Sequence, residues 1–309
     1  MEFEIFRGKR IFLTGGTGFF GKSILDMLLK GFLPDTEFVI LSRDPAKFLA
    51  DEPQYAGLKN VSFVAGDVRD FGFPEGDFDY IIHAATPAVT TLAPGEMRSI
   101  ILGGMHRVLD FARKCRSPRL LFTSSGAVYG IQEPECLNIT EDHPCRPLTE
   151  YGIAKLEAEN LCRYSCVDVL VARCFAFVGP RLNRNIHFAI GNFIRDALEH
   201  KDIVIKGDGT PLRSYLYADD LVRWLFTILA GGEPHRPYNV GSPEGISIAD
   251  LARLTASRLN PASEVKTLGV PLPGMPAARY VPDVTRAQKE LGVEITVPLA
   301  EAIDKSASI

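Results

Sequence analysis

The sequence lacks any CxxC pair, any histidine close to a cysteine at zinc-ligand spacing, and any apolar run near the ~20 residues that a membrane-spanning helix requires. Its six cysteines, at positions 115, 136, 145, 162, 166 and 174, therefore read as reduced, mostly buried thiols, with no metal site and no disulfide framework. Nothing in the first thirty residues has the pattern of a secretory leader, so the expectation is a cytoplasmic protein with no membrane partner. A dense basic cluster is missing too: 34 Lys and Arg against 38 Asp and Glu leave a formal net charge of −4. That balance speaks against a nucleic-acid partner, whose binding needs a basic surface to displace counterions. No repeat or low-complexity segment interrupts the 309 residues, of which 46% are apolar, enough for a sizeable core.

What is present is a rhythm. Short β-rich runs at Arg10 to Thr14, Glu37 to Leu41, Val61 to Ala65, Tyr80 to His83, Leu120 to Thr123 and Val167 to Ala172 alternate with amphipathic segments or turns. Such alternation predicts an α/β fold, a parallel sheet covered by helices on both faces. After Ala172 the rhythm breaks, leaving a helix near Phe193 to Glu199 and a strand near Ile203 to Ile205. The chain is therefore divided into a binding domain over 1–172 and a smaller substrate lobe over 173–309 that returns some segments to the sheet.

The first β-run leads into Thr14-Gly15-Gly16-Thr17-Gly18-Phe19-Phe20-Gly21 and then a helix carrying Ile24, Leu25 and Leu28. In this GxxGxxG spacing, Gly15 allows the tight turn, Gly18 a close approach to a pyrophosphate, and Gly21 the packing of helix on strand. Dinucleotide binding is the expected use. The second run ends in Ser42-Arg43. A carboxylate at this place suits the ribose hydroxyls of NAD, and an arginine a 2′-phosphate, so NADP is favoured, with Asp44 keeping NAD open as the alternative. Asp67, after the third run, either bonds the adenine or caps a turn.

Tyr151 and Lys155 are four residues apart, on one face of a helix. Bringing a phenol from a pKa of about 10 to near 7 takes roughly 4 kcal/mol, the order that one ammonium at about 4 Å supplies at an effective dielectric of 20. Tyr151 is thus a candidate proton carrier. The stretch TSSGAVYG, residues 123–130, follows a buried strand at the edge where open α/β sheets bind ligands, and places a serine hydroxyl within reach of a reacting oxygen.

Taken together, TGGTGFFG, the Asp67 element, Ile82-His83-Ala84-Ala85, TSSGAVYG, YGIAK and Arg213-Ser214-Tyr215-Leu216-Tyr217-Ala218-Asp219-Asp220 resemble the extended short-chain dehydrogenase/reductases that act on nucleotide sugars. The resemblance implies a Rossmann-type doubly wound parallel sheet, a bound NAD(P), a nucleoside-diphosphate sugar and a homodimer formed through helices near Glu96 to Lys114 and Tyr151 to Ser165. It implies catalysis by Ser125, Tyr151 and Lys155, with Ser124 assisting. Gly15, Thr17, Gly18, Phe19, Phe20, Gly21, Ser42, Arg43, Asp67, Val68, Ala84 and Ala85 are the expected cofactor contacts, joined by Tyr151 and Lys155. Arg213, Asn192, His187 and Arg279 are expected at the substrate.

The same loop narrows the chemistry. The family's dehydratases carry Asp and Glu after the catalytic serine or threonine, its decarboxylases a glutamate at the second place, and its double epimerases a cysteine there. This chain has Gly126 and Ala127. What remains is redox chemistry at one carbon, usually C4: NADPH-dependent reduction of a 4-keto-6-deoxy sugar, favoured by Ser42-Arg43, or NAD-dependent 4-epimerisation. A non-catalytic NADP-binding sensor is the third reading, opposed by the intact Ser125, Tyr151 and Lys155. Two departures from the family pattern stand out: Ala176 replaces an asparagine before Gly179-Pro180, and Ile100 and Ile101 stand where a helix asparagine is usual.

Overall fold

A computed structural model describes residues 3–87, 92–115, 119–186 and 188–308. Its first half alternates β1 (Arg10–Thr14), α1 (Phe19–Leu29), β2 (Glu37–Ser42), α2 (Pro45–Asp51), β3 (Val61–Ala65), β4 (Tyr80–His83), α3 (Glu96–Lys114), β5 (Arg119–Ser125), α4 (Glu150–Arg163) and β6 (Val169–Cys174). Beyond these come α5 (Ala189–Leu198), α6 (Ala218–Gly231), β7 (Pro237–Val240) and α7 (Ile248–Leu259). The central sheet runs in the order β7-β6-β5-β4-β1-β2-β3, parallel throughout. This is a Rossmann-like doubly wound sheet, whose strand order reverses between β1 and β4; ligands of such sheets bind at that crevice.

Period-two alternation explains both faces. Ile11, Leu13, Phe38, Ile40 and Ile82 face one core with helices α1 and α6, while Phe12, Val39, Leu41, Ile81 and Phe122 face the other with α3 and α4. A third core joins α5 and α7 in the lobe. There, Leu212–Arg213 pairs antiparallel with Ile246–Ser247 and parallel with Arg279–Tyr280, making a small sheet at the mouth of the crevice.

Several boundaries differ from the sequence expectation, three of them by enough to matter here. β5 continues through Ser125 because Ser124 and Ser125 pair with Arg173 and Cys174, so both serines belong to the strand and not to the loop after it. β6 spans Val169–Cys174, and a domain boundary at residue 172 falls inside it. The lobe helix begins at Ala189, ahead of Phe193.

Candidate active site at the carboxyl edge of the sheet

At the phosphate end, Gly15 has φ +75°, and a Cβ there would lie 2.5 Å from the Ala84 carbonyl carbon and 2.6 Å from the Ala85 nitrogen. A Cβ on Gly21 would meet the Gly16 backbone at 2.2 Å. Both glycines are required by the protein's own packing. Gly18 differs: its φ is −87°, and a Cβ would find only the Gly15 oxygen at 3.5 Å. It sits at the N-cap of α1 with no side chain capping the helix, which leaves amide donors beside open space that a pyrophosphate fits. Gly18→Ala should therefore leave the melting temperature of the free protein nearly unchanged and weaken dinucleotide binding about tenfold or more, as read by calorimetric titration.

Thr17 lies in the same turn, while Phe19 and Phe20 turn their rings inward, Phe20 edge-on to Phe177 at 5.2 Å and Phe19 against two of the cores. Ala84 and Ala85 close the opposite wall: the Ala85 amide donates to Thr14 Oγ1 at 3.3 Å, and that hydroxyl is 2.7 Å from His83 Nδ1. Burial, then the nearby Lys155 charge, holds His83 down to about 3, so it stays neutral. Val68 is buried against Gly104.

At the end of β2, Ser42 is buried and accepts from the Asp44 amide at 3.3 Å, while Arg43 is exposed. The Asp44 carboxylate caps α2 by accepting from the Lys47 amide at 2.9 Å. Asp67 accepts from the Arg69 amide at 3.0 Å and from Arg69 Nε at 2.7 Å. Its carboxyl is held below the ordinary range mainly by that guanidinium, with Arg43 contributing. Of its two expected uses, the turn cap is the one these contacts display.

The reacting end is built by β5 and α4. Thr149 caps α4 by accepting from the Gly152 amide at 3.1 Å, and Gly152 lets the helix press against the Ala127 carbonyl, which a Cβ would approach to 2.6 Å. That packing brings Tyr151 alongside the turn that follows Ser125. Lys155 is buried one turn on, its Nζ donating to Thr86 Oγ1 and to the Thr123 carbonyl, each at 2.8 Å, and standing 5.8 Å from the Tyr151 ring centre. Burial pushes the Tyr151 phenol up to about 12, with Ser125 pulling the other way, and burial brings Lys155 down to about 8.

Ser124 does not join them. As the neighbouring strand residue it points to the other side, where its hydroxyl donates to Glu159 Oε1 at 2.5 Å. Glu159 is paired with Arg173, which also donates to the Tyr129 hydroxyl at 3.0 Å; Tyr129 in turn donates to Asn239 Oδ1 at 2.7 Å. The assisting role expected of Ser124 is corrected to a buried structural one.

On the lobe side, Arg213 is half-buried, its Nη1 donating to the Leu212 carbonyl at 2.7 Å and its guanidinium lying 5.9 Å from the Tyr280 ring centre. Asn192 presents a buried Oδ1 with no hydrogen-bond partner, an acceptor free for a ligand. Arg279 reaches the Leu137 carbonyl at 3.4 Å, and its strand neighbour Tyr280 packs on Phe175 with its hydroxyl over Gly126. His187 lies outside the described residues.

The model of the NAD dependent epimerase/dehydratase family matches residues 11–241. The chain belongs to this family. Among relatives in the family, UDP-glucuronic acid decarboxylase 1 of Xenopus tropicalis is 29% identical over 96% of this chain and 71% of its own length. Two solved structures share the fold: UDP-N-acetylglucosamine 4-epimerase from Methanobrevibacter ruminantium M1 in complex with UDP-N-acetylmuramic acid, and UDP-glucuronic acid 4-epimerase from Bacillus cereus in complex with NAD. The first has a TM-score of 0.85 at 20% identity and covers 97% of each chain; the second has 0.82 at 22%, covering 96% of this chain and 97% of that one.

Within this family framework, the place after Ser125 is closed by shape as well as by composition. A Cβ on Gly126 would lie 2.7 Å from both Phe175 Cζ and the Tyr280 hydroxyl, and those two rings stand 4.6 Å apart. Neither aromatic was singled out as a site residue by sequence, although Phe175 directly precedes Ala176 and Tyr280 directly follows Arg279. Among the described residues no cluster of three or more His, Cys, Asp or Glu side chains could hold a metal, and no helix is long and apolar enough to cross a membrane.

Proposed function

We propose that this chain is a nucleotide-sugar oxidoreductase acting at C4 of the hexose, reducing a 4-keto-6-deoxy nucleoside-diphosphate sugar with NADPH. The observation that carries this reading is the convergence of Ser125, Tyr151 and Lys155 beside a Gly126 whose side-chain space is already filled. The Tyr151 phenol holds its proton at neutral pH, the state needed to donate to a carbonyl oxygen as it becomes an alcohol. Ser125 steadies that oxygen with a second hydrogen bond, and the Lys155 ammonium favours the phenolate left behind. The bound nicotinamide supplies the hydride.

Arg213, a bidentate donor, is the group we assign to the diphosphate, and Asn192, whose unpaired Oδ1 is an acceptor, to a hydroxyl of the nucleotide sugar; His187 completes the proposed substrate set. Decarboxylation and dehydration are disfavoured because neither Gly126 nor Ala127 brings a carboxylate. Exposed Arg43 and the engagement of Asp44 as a helix cap favour the 2′-phosphate of NADP, so Arg43→Ala should weaken NADPH binding about tenfold and leave NADH binding within twofold. Assembly as a homodimer through α3 and α4 and a cytoplasmic location belong to the same proposal.

NAD-dependent 4-epimerisation is the second reading, favoured by the small Gly126-Ala127 turn and by structural neighbours that are 4-epimerases. Incubation of the purified protein with 4-keto-6-deoxy and ordinary nucleotide sugars separates the two. Stoichiometric NADPH consumption supports reduction. Interconversion of C4 epimers without net cofactor use replaces it with epimerisation, and dinucleotide binding with neither reaction returns the sensor reading.

A further inference from the structure

We propose that Thr86 is a positioning residue: its hydroxyl oxygen, together with the Thr123 carbonyl, fixes the Lys155 ammonium in the place where it balances charge on Tyr151. The inference rests on the role given to Lys155 above and deepens it.

An ammonium has three N–H donors and no acceptor. Lys155 is only 2% exposed, so each donor has to find its partner inside the protein or on a bound ligand. Two are spent, on Thr86 Oγ1 and on the Thr123 carbonyl, each at 2.8 Å, which leaves one for Tyr151 or the dinucleotide. The two acceptors come from neighbouring strands of the sheet: Thr123 lies in β5, and Thr86 follows the end of β4. A lysine stem is flexible, and acceptors on two separate strands hold its head where one alone would let it swing. Only Thr86 supplies its acceptor from a side chain, so it is the one that a substitution can remove.

Among the described residues no carboxylate takes over this task. Glu159, one turn along α4, is spent on Ser124 and Arg173. The Phe122 ring centre lies 4.8 Å from Lys155 Nζ and the Tyr151 ring centre 5.8 Å. The other titratable groups facing Lys155 are His83 on β4, Cys162 on α4 and Cys174 on β6. Burial holds His83 neutral and pushes both thiols up, so none of the three changes charge near neutral pH. The charged Lys155 therefore stands on two neutral oxygens and an aromatic face. Burial already brings it down to about 8, and the loss of one oxygen acceptor favours the neutral amine further.

The test uses full-length protein labelled with 13C at lysine Cε. The Lys155 resonance, assigned by its loss in Lys155→Met, is titrated in wild type, Thr86→Val and Thr86→Ser, and the pH profile of turnover with NADPH and a 4-keto nucleotide sugar is recorded for the same three. Thr86→Val keeps the shape of the side chain and should lower the Lys155 midpoint by about one pH unit. The high-pH limb of turnover should move down with it, because the charged amine is lost as pH rises through that midpoint. Thr86→Ser restores the acceptor and should return both to within about 0.3 pH units of wild type. Thr86→Ala, which removes the hydroxyl and adds no methyl, reads the same midpoint should Thr86→Val fail to fold. An unchanged midpoint in the variant without the hydroxyl, or a Thr86→Ser midpoint no closer to wild type, overturns the proposal. Absence of turnover in wild type would instead overturn the reduction reading, and the midpoints would still report whether Thr86 holds Lys155.

Discussion

On the proposed function, Tyr151→Phe should lower turnover of a 4-keto nucleotide sugar by about 10²- to 10⁴-fold while dinucleotide and sugar binding stay within a few-fold. The variant removes one oxygen from a ring that is itself well packed at the start of α4, so the fold loses little. What disappears is the proton donor. Ser125 remains, but an aliphatic hydroxyl is a far weaker acid than a phenol and cannot replace it as the proton donor. Steady-state kinetics alongside calorimetric titration read the split: kcat collapses and the binding constants hold. An intact kcat would mean that another group moves the proton.

Glu159→Ala should be the most damaging change outside the chemistry itself. Arg173 and Glu159 have side chains only 5% and 7% exposed, and they meet through two nitrogen–oxygen contacts, at 2.7 and 3.0 Å. Truncating the carboxylate strands a buried guanidinium and leaves the Ser124 hydroxyl without its acceptor, at a cost of about 3–5 kcal/mol. For a chain of this size that is a fall in Tm of roughly 5–8 °C, measurable by differential scanning calorimetry. Glu159→Leu combined with Arg173→Met should recover most of the loss, because a buried pair replaced by apolar side chains of similar volume costs little. A single variant that melts with the wild type would show that the pair contributes nothing to stability.

Sequence reading reached what is local. The strands at Arg10–Thr14, Val61–Ala65, Tyr80–His83 and Ile203–Ile205 carry their own signal of β-branched and aromatic residues between turns, and the GxxGxxG and YxxxK spacings are fixed by one turn and one helix. Features set by which side of a strand faces what were not reached. Ser124 and Ser125 are chemically alike, and only pairing with β6 sends the first to Glu159 and the second to Tyr151. Arg279 and Tyr280 differ by one residue, and a one-residue step reverses the face. Asp67 could not be resolved either, because its partner Arg69 is chosen by the turn between them.

The closed space above Gly126 also limits the routes by which this chain can change its chemistry. Any side chain introduced at position 126 puts its Cβ 2.7 Å from Phe175 Cζ and from the Tyr280 hydroxyl. Both rings have to move aside before that side chain fits. The effect of a carboxylate at position 126 is thus coupled to the aromatic side chains at 175 and 280, and a variant there has to be read together with changes at those two positions.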